Sequence, residues 1–117
     1  MDPEWSDNRP IYRQIHERIV AMILDEVLKE GDALPSVRTV AAESRVNHLT
    51  VLKAYQQLEA DNLVDKRRGL GMFVAPGARD QLHRVERERF LTEEWPRIHA
   101  TIQRLGLAGQ LLGKARP

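Results

Sequence analysis

The chain has 117 residues, of which 42% are hydrophobic and 30% charged, and its formal net charge is +1. This length has room for one core plus a small appendage, which argues against a two-domain enzyme with a deep cleft between its domains. Cysteine is absent, so disulfides, thiolate metal ligands and thiol nucleophiles are excluded.

The sequence predicts neither a secretory signal peptide nor a membrane-spanning segment. The longest apolar stretch, 19–24, is far too short to span a bilayer and is followed at once by Asp25 and Glu26. The start of the chain, MDPEWSDNRP, is acidic and polar, unlike the basic start and apolar middle of a signal peptide. We therefore expect a cytoplasmic protein with no membrane partner.

Charge is distributed unevenly along the chain. Residues 1–35 carry eight acidic and four basic side chains, residues 36–74 carry four acidic and six basic, and residues 75–117 carry five acidic and eight basic. If the partner is a polyanion, the first segment should face away from it.

The first predicted element is an amphipathic helix that starts near Pro10, a residue tolerated at the beginning of a helix. Its apolar side chains recur at spacings of three and four, which is the helical period. They are Ile11, Ile15, Ile19, Met22 and Ile23. The following segment, DEVLKEGD, has turn chemistry, so the helix should end within a few residues of Leu24.

A second, short helix is predicted over 37–44. Ser36 follows Pro35 and is a good N-cap, because its hydroxyl can accept a hydrogen bond from the amide of Arg38 or Thr39. Arg38 projects from the first turn, where exposed amides and the positive end of the helix dipole favour a phosphate. An ordinary solvated charge is the alternative interpretation of Arg38.

A tight turn over 45–47 leads into a third helix, predicted over 48–61 with Asn47 as its N-cap. Val51, Ala54, Tyr55 and Leu58 supply its inner face. In a helix-turn-helix, the N-terminal residues of the second helix contact base edges in the major groove. The outward residues there have suitable chemistry for hydrogen bonds, thymine-methyl contact and guanine or phosphate contact. They are His48, Leu49, Thr50 and Lys53.

Segments 63–66 and 72–75 predict two short strands joined by Arg67, Arg68, Gly69, Leu70 and Gly71. Two glycines in such a tip permit backbone angles closed to other residues and close approach to a partner. A charged edge that blocks aggregation is the alternative, but it explains the glycines less well. The favoured interpretation is a wing against DNA, so the fold class is mainly α with a small β-hairpin: a winged helix-turn-helix plus a short two-helix C-terminal tail.

The sequence APGA at 75–78 marks the one clear boundary, which predicts a DNA-binding domain over 1–75 and a helical dimerisation tail over 76–117. The tail should form helices over about 79–91 and 93–105, with a break or kink near Thr92 and Pro96 and Gly106 closing the second helix. Apolar residues with heptad-like spacing form a tail seam: Leu91, Trp95, Ile98, Ile102 and Leu105. Self-association through this seam is favoured over packing against the chain's own first helix, because palindromic DNA sites favour dimers.

In order along the chain, these features resemble the GntR family of bacterial transcription regulators, and more closely its small YtrA-like branch. The resemblance covers about residues 10–75 and is carried by PIYRQI at 10–15, GDALPSVR at 31–38 and RRGLGMFV at 67–74, together with Val46-Asn47, Thr50-Val51, Ala54-Tyr55 and Leu58-Glu59 in the third helix. Larger relatives have a separate effector domain, whereas this tail is too short to enclose a sizeable pocket. The sequence identifies no small-molecule effector, and one would have to bind at the dimer interface or elsewhere.

The resemblance implies a homodimer that binds double-stranded operator DNA of palindromic sequence, commonly as a repressor, and in this branch often near genes for membrane transporters. By position, it implies DNA contacts from the start of the second helix, the turn and early third helix, and the wing. These are Ser36, Arg38, Asn47, His48, Leu49, Thr50, Lys53, Arg67, Arg68, Gly69 and Gly71.

Three places depart from the family pattern. Thr39 stands where Glu usually completes a capping box with the preceding Ser. Ser44 and Arg45 replace a common Leu-Gly pair, so Arg45 carries backbone strain or adds a phosphate contact. His48 and Leu49 replace Pro-Asn, which changes the expected operator and leaves general DNA binding intact.

Catalytic motifs are absent from the sequence: there is no glycine-rich phosphate loop with Lys-Ser/Thr and no His-Glu-x-x-His. The four histidines, at 16, 48, 83 and 99, lack tight metal-ligand spacing. We therefore expect no enzyme activity, no cofactor and no metal site. The competing function is a winged helix that binds another protein and not DNA.

Overall fold

The computed structural model describes Trp5 and residues 8–113. It contains helices α1 (Ile11–Leu24), α2 (Val37–Ser44) and α3 (His48–Ala60), strands β1 (Val64–Arg67) and β2 (Gly71–Val74), and helices α4 (Ala78–Arg89), α5 (Trp95–Arg104) and α6 (Ala108–Leu111). A π-helical turn, Phe90–Glu94, joins α4 to α5. The chain divides into two compact units, Met1–Leu82 and His83–Pro117.

The start of each helix in the helix-turn-helix follows its predicted cap. The Ser36 hydroxyl accepts from the Thr39 amide at 3.0 Å, and the Asn47 side-chain oxygen accepts from the Leu49 amide at 2.7 Å. These bonds satisfy amides that have no partner inside the helix. The predicted starts of α2 and α3 are therefore confirmed.

The core of the first unit lies between α1, α2 and α3, at the base of the hairpin. Apolar faces of α1 and α3 pack against each other, and Val51, Ala54 and Leu58 are fully buried. Tyr55 is also buried, and its hydroxyl donates to the Pro35 carbonyl at 2.7 Å. Burial raises the pKa of the Tyr55 phenol, so it stays a protonated donor that ties α3 to the start of α2.

The hairpin is antiparallel, with Val64 opposite Val74 and Arg67 opposite Gly71. Its strands begin and end within one residue of the predicted segments. The segment 31–34 lies along β2, because the Gly31 amide donates to the Val74 carbonyl and the Leu34 amide to the Met72 carbonyl, each at 2.8 Å. The base of the hairpin is therefore held by backbone bonds to a third stretch of chain.

The first unit continues past the boundary placed at residue 75. Ala78 and Leu82, on α4, are buried with the core of that unit, and the Arg79 side chain donates to the Leu24 carbonyl at 2.9 Å. The start of α4 thus caps the end of α1.

The second unit is helical throughout most of its described length. Where the sequence predicts a break or kink near Thr92 and Pro96, the helix widens into the π-helical turn, and Pro96 lies in the first turn of α5. The Trp95 amide bonds the Phe90 carbonyl five residues back, so the π-helical turn has already shifted the hydrogen-bond ladder at the point where Pro96 lacks an amide. Gly106 follows α5 with φ +72°, as expected for a glycine that ends a helix.

Candidate nucleic-acid interface

The predicted DNA contacts lie on three parts of the first unit: the start of α2, the start of α3 and the hairpin. Ser36 and Arg38 are exposed at the start of α2. Asn47, His48, Leu49 and Lys53 are exposed in the turn and early α3, while Thr50 is half-buried. The wing, defined as β1, β2 and the tip 68–70, exposes Arg67, Arg68, Gly69 and Gly71.

Several of these residues share a surface cavity of about 500 Å³, here called the α1–α3 cavity. Its α3 wall contains Asn47, Leu49, Thr50 and Lys53, and its other wall is the head of α1, with Ile11 and Tyr12. Leu49 is 66% exposed, so an apolar side chain is presented beside hydroxyl and ammonium groups. This combination is suited to base edges, which offer thymine methyl groups as well as acceptors.

A second cavity, of about 320 Å³, lies between the wing and the start of α2, and is called the wing cavity. Ser36 and Val37 contribute from α2, and Lys66, Arg67, Gly69 and Gly71 contribute from the hairpin. Leu34, Leu52 and Met72 form apolar parts of its lining. The wing is thereby placed on the same face as the cap of α2. Arg38, His48 and Arg68 are exposed but line neither cavity.

The tip of the wing depends on its glycines. Gly69 has φ +77° and Gly71 has φ +109°, a region that side-chain-bearing residues rarely adopt. Nothing lies within 4 Å of a Cβ built on either residue, so the requirement for glycine is conformational. Leu70 between them is 72% exposed, and the Arg67 guanidinium stacks on the Phe73 ring at 4.1 Å.

Positive charge on this part of the chain is available to a partner. Six basic side chains of residues 36–74 are exposed, and within the described part of the chain none of them forms an ion pair with a carboxylate. They are Arg38, Arg45, Lys53, Lys66, Arg67 and Arg68. By contrast, Arg89 in the second unit pairs with Glu86 and Glu94, and the hydrogen bond with Glu86 raises the pKa of Arg89.

The unusual turn before α3 has the geometry that its residues suggested. Arg45 has φ +57° and ψ +44°, the left-handed conformation for which glycine is common. Ser44, in place of an apolar anchor, is 1% exposed. At the third departure, the Thr39 hydroxyl accepts from the Ser36 hydroxyl at 2.8 Å, a side-chain contact in place of the return bond of a capping box.

Among the cavity-lining residues that the sequence-based site prediction missed is Tyr12. Its ring lines the α1–α3 cavity, and the Lys53 ammonium lies 4.1 Å from the ring centroid. The helical period alone places Tyr12 largely on another face of α1 than the apolar stripe, whereas the structure shows its ring half-buried and packed against the core.

The predicted tail seam is largely accessible in the single chain. Leu91, Ile98 and Leu105 are 48%, 41% and 63% exposed, and Trp95 and Ile102 are half-buried. Trp95 also contacts the His99 ring, with centroids 5.2 Å apart.

Metal-ligand clusters and membrane-spanning helices were sought among the described residues. Within Trp5 and 8–113, no group of three or more histidine or acidic side chains is arranged to hold a metal ion. No helix in the same residues is long and apolar enough to cross a membrane.

Comparison with known sequences identifies relatives among bacterial transcriptional regulators. The model of the bacterial regulatory proteins of the gntR family matches residues 11–74. The uncharacterized HTH-type transcriptional regulator YhcF of Bacillus subtilis is 35% identical over 99 residues, which cover 80% of this chain and 82% of that protein. The HTH-type transcriptional repressor YtrA of Bacillus subtilis is 38% identical over 82 residues, which cover 70% of this chain and 62% of YtrA.

Solved structures share the fold. A transcriptional regulator from Oenococcus oeni matches with a TM-score of 0.73 and 31% identity, over 94% of this chain and 90% of that chain. AraR(DBD), crystallised in complex with operator ORE1, matches with a TM-score of 0.56 and 26% identity, over 64% of this chain and 93% of that chain. This chain therefore belongs to the GntR family of bacterial regulatory proteins, in its YtrA-like branch, and is a DNA-binding transcriptional regulator.

Proposed function

We propose that this regulator is a cytoplasmic homodimeric repressor that binds a palindromic operator, in keeping with the transporter-linked genes that its branch often controls. The proposal of DNA binding rests on six exposed basic side chains within the 39 residues 36–74. Within the described chain, none of the six has a carboxylate partner. Phosphates that neutralise these cations release counterions, which supplies sequence-independent affinity.

Within this surface we assign two kinds of contact. The α2 cap with Ser36 and Arg38, and the wing with Arg67, Arg68 and its glycines, are assigned to the sugar-phosphate backbone. Contacts of this kind fix the register of the protein on the duplex without reading sequence. The exposed start of α3 is assigned to base edges, because it carries apolar, hydroxyl, imidazole and ammonium groups on consecutive turns.

A second copy of the chain is the partner proposed for the tail. The exposed tail seam offers apolar side chains every third or fourth residue, and such a stripe is stabilised by burial against a like helix. A two-fold dimer presents two copies of α3, so a palindromic site with half-sites about one helical turn apart, about 10 base pairs, matches its symmetry.

Repression is supported by the relative YtrA, which is described as a transcriptional repressor. A reporter gene preceded by the selected operator provides the test. Expression should fall when the wild-type chain is co-expressed, and a scrambled operator should abolish the effect. An increase in expression would make the chain an activator and overturn this part of the proposal.

The DNA part is tested by selecting duplexes from the source genome with the wild-type chain and measuring binding from about 50 to 200 mM salt. If the chain grips six to ten phosphates, affinity should fall by about 10³ to 10⁵ over this range. A scrambled duplex is the control for sequence preference. Absence of salt-sensitive binding to any genomic fragment would instead favour the protein-interaction module, which the relatives do not favour.

A further inference from the structure

We propose that Tyr12 is a positioning residue for DNA reading: its ring holds the Lys53 ammonium at the wall of the α1–α3 cavity, so α1 contributes to base discrimination. The inference rests on the proposed function, since Lys53 is assigned there to base reading. It adds a residue outside the helix-turn-helix to the determinants of operator preference.

The contact itself is direct. The Lys53 Nζ lies 4.1 Å from the centroid of the Tyr12 ring, well within the range of about 6 Å over which a ring attracts a cation. Lys53 has no carboxylate partner within the described residues, so the ring is its observed electrostatic contact. The Arg13 guanidinium is farther from the same centroid, at 5.8 Å.

A lysine needs such a contact more than an arginine does. Its ammonium is a compact charge on a flexible four-carbon stem, and fixing that stem costs rotamer entropy. A contact already made in the free protein restricts the stem before DNA arrives, which lowers the entropy lost on binding. Because an ammonium lacks the fixed fork of a guanidinium, its location decides which acceptor it meets.

Lys53 lies on the face of α3 that also carries other residues assigned to base reading. Residues three and four apart share one face of a helix, and Thr50 and Leu49 precede Lys53 by those spacings. All three line the α1–α3 cavity together with Ile11 and Tyr12. The head of α1 therefore borders the face of α3 that carries the assigned readers, and Tyr12 determines where on that face the charge resides.

The test is a double-mutant cycle with Tyr12→Leu, Lys53→Met and both together, with Tyr12→Phe as the conservative variant. The probe is a duplex that the wild-type chain selects from a random-sequence pool. We expect Tyr12→Leu to weaken binding about two- to fivefold, the range for an exposed contact between a cation and a ring. Tyr12→Phe retains the ring and should bind within about twofold of the wild type.

Coupling separates positioning from a structural role. In the Lys53→Met background, Tyr12→Leu should have no further effect, and both changes should relax preference at the same base pair of the probe. A purely structural Tyr12 would weaken binding equally in both backgrounds, which would overturn the inference. Lys29→Met, on an exposed lysine outside the cavity, controls for loss of one positive charge.

A second readout requires no DNA. In the free protein, the Lys53 Cε protons should show an upfield ring-current shift by NMR in the wild type and in Tyr12→Phe, and the shift should vanish in Tyr12→Leu. An unshifted wild-type signal would refute the contact. If the wild type selected no duplex, the proposed function would fail and the reading role of Lys53 with it, while the shift would still report on the contact.

Discussion

The two units of this chain differ in how far their apolar side chains are buried. In the first unit, Val51, Ala54 and Leu58 are fully buried between helices, so its core is completed by the chain itself. In the second, neither the π-helical turn Phe90–Glu94 nor α5 contains a buried residue, and Ile98 and Leu105 are 41% and 63% exposed. The difference shows that the first unit buries its own apolar core, and it supports the proposal that a second copy of the chain covers the tail seam.

The largest effect that this comparison predicts is on the core of the first unit. Leu58→Ala should lower the free energy of unfolding by about 2 to 5 kcal/mol, because Leu58 is 0% exposed and its removal leaves a cavity. Leu70→Ala, at 72% exposure, is the matched control and should change it by less than about 0.5 kcal/mol. Denaturant unfolding measures both. Equal effects of the two variants would refute the self-contained core.

The second prediction concerns the tail seam. Changing Ile98 and Ile102 together to Asn should convert dimers to monomers, since two polar side chains on an interface should raise the dimer Kd by about 100-fold or more. Sedimentation at micromolar concentration measures the change. Ala100→Asn, on the same helix but outside the seam, is the control and should leave the dimer intact. A dimer that persists in the double variant would place the interface elsewhere.

A smaller effect is expected when charge is removed from the surface of the first unit. Arg38→Ala and Arg68→Ala should each weaken duplex binding and reduce the magnitude of the log-log salt slope by about one, because each is assigned to a phosphate. Unfolding free energy and dimerisation should stay unchanged, since both side chains are exposed. Titrations of the operator duplex over a salt series measure the slope. Unchanged affinity for both variants would remove these residues from the contact set.

The smallest effect concerns the turn before α3. Arg45→Gly should raise the free energy of unfolding relative to Arg45→Ala by about 1 kcal/mol, because only glycine adopts φ +57° without a Cβ penalty. Both variants lose the charge, so any loss of DNA affinity common to them reports a phosphate contact of Arg45. Comparison of the two unfolding curves isolates the backbone contribution. Equal stability would show that the left-handed turn carries no strain.

Local chemistry made much of the fold predictable. Ser36 and Asn47 are cap residues whose side chains act within three residues, so the sequence alone located the starts of α2 and α3. The apolar spacing of α1 and the paired glycines of the wing are equally local signals. The conformation of the junction near Thr92 and Pro96 could not be predicted in the same way, because no comparable sequence rule identifies a π-helical turn. The helix continues through this turn at the place where the sequence predicts a break or kink.

The surface was less predictable than the fold. Helical periodicity predicts which residues at the start of α3 point outward. The opposite wall of the cavity comes from α1, where Tyr12 precedes Lys53 by 41 residues in the sequence. Such a contact depends on how the helices pack, which no local pattern specifies. Ser36 and the wing residues line one cavity for the same reason: the packing of the elements, and not a local sequence pattern, brings them together.

The stretch of chain that lies along β2 separates the stability of the hairpin base from the sequence of its tip. A two-stranded hairpin alone is marginally stable in water, yet here the Gly31 and Leu34 amides bond to β2 from outside the hairpin. The base is thus held by backbone bonds in which residues 68–70 take no part. We therefore expect the hairpin to tolerate tips of different length or charge without redesign of the core.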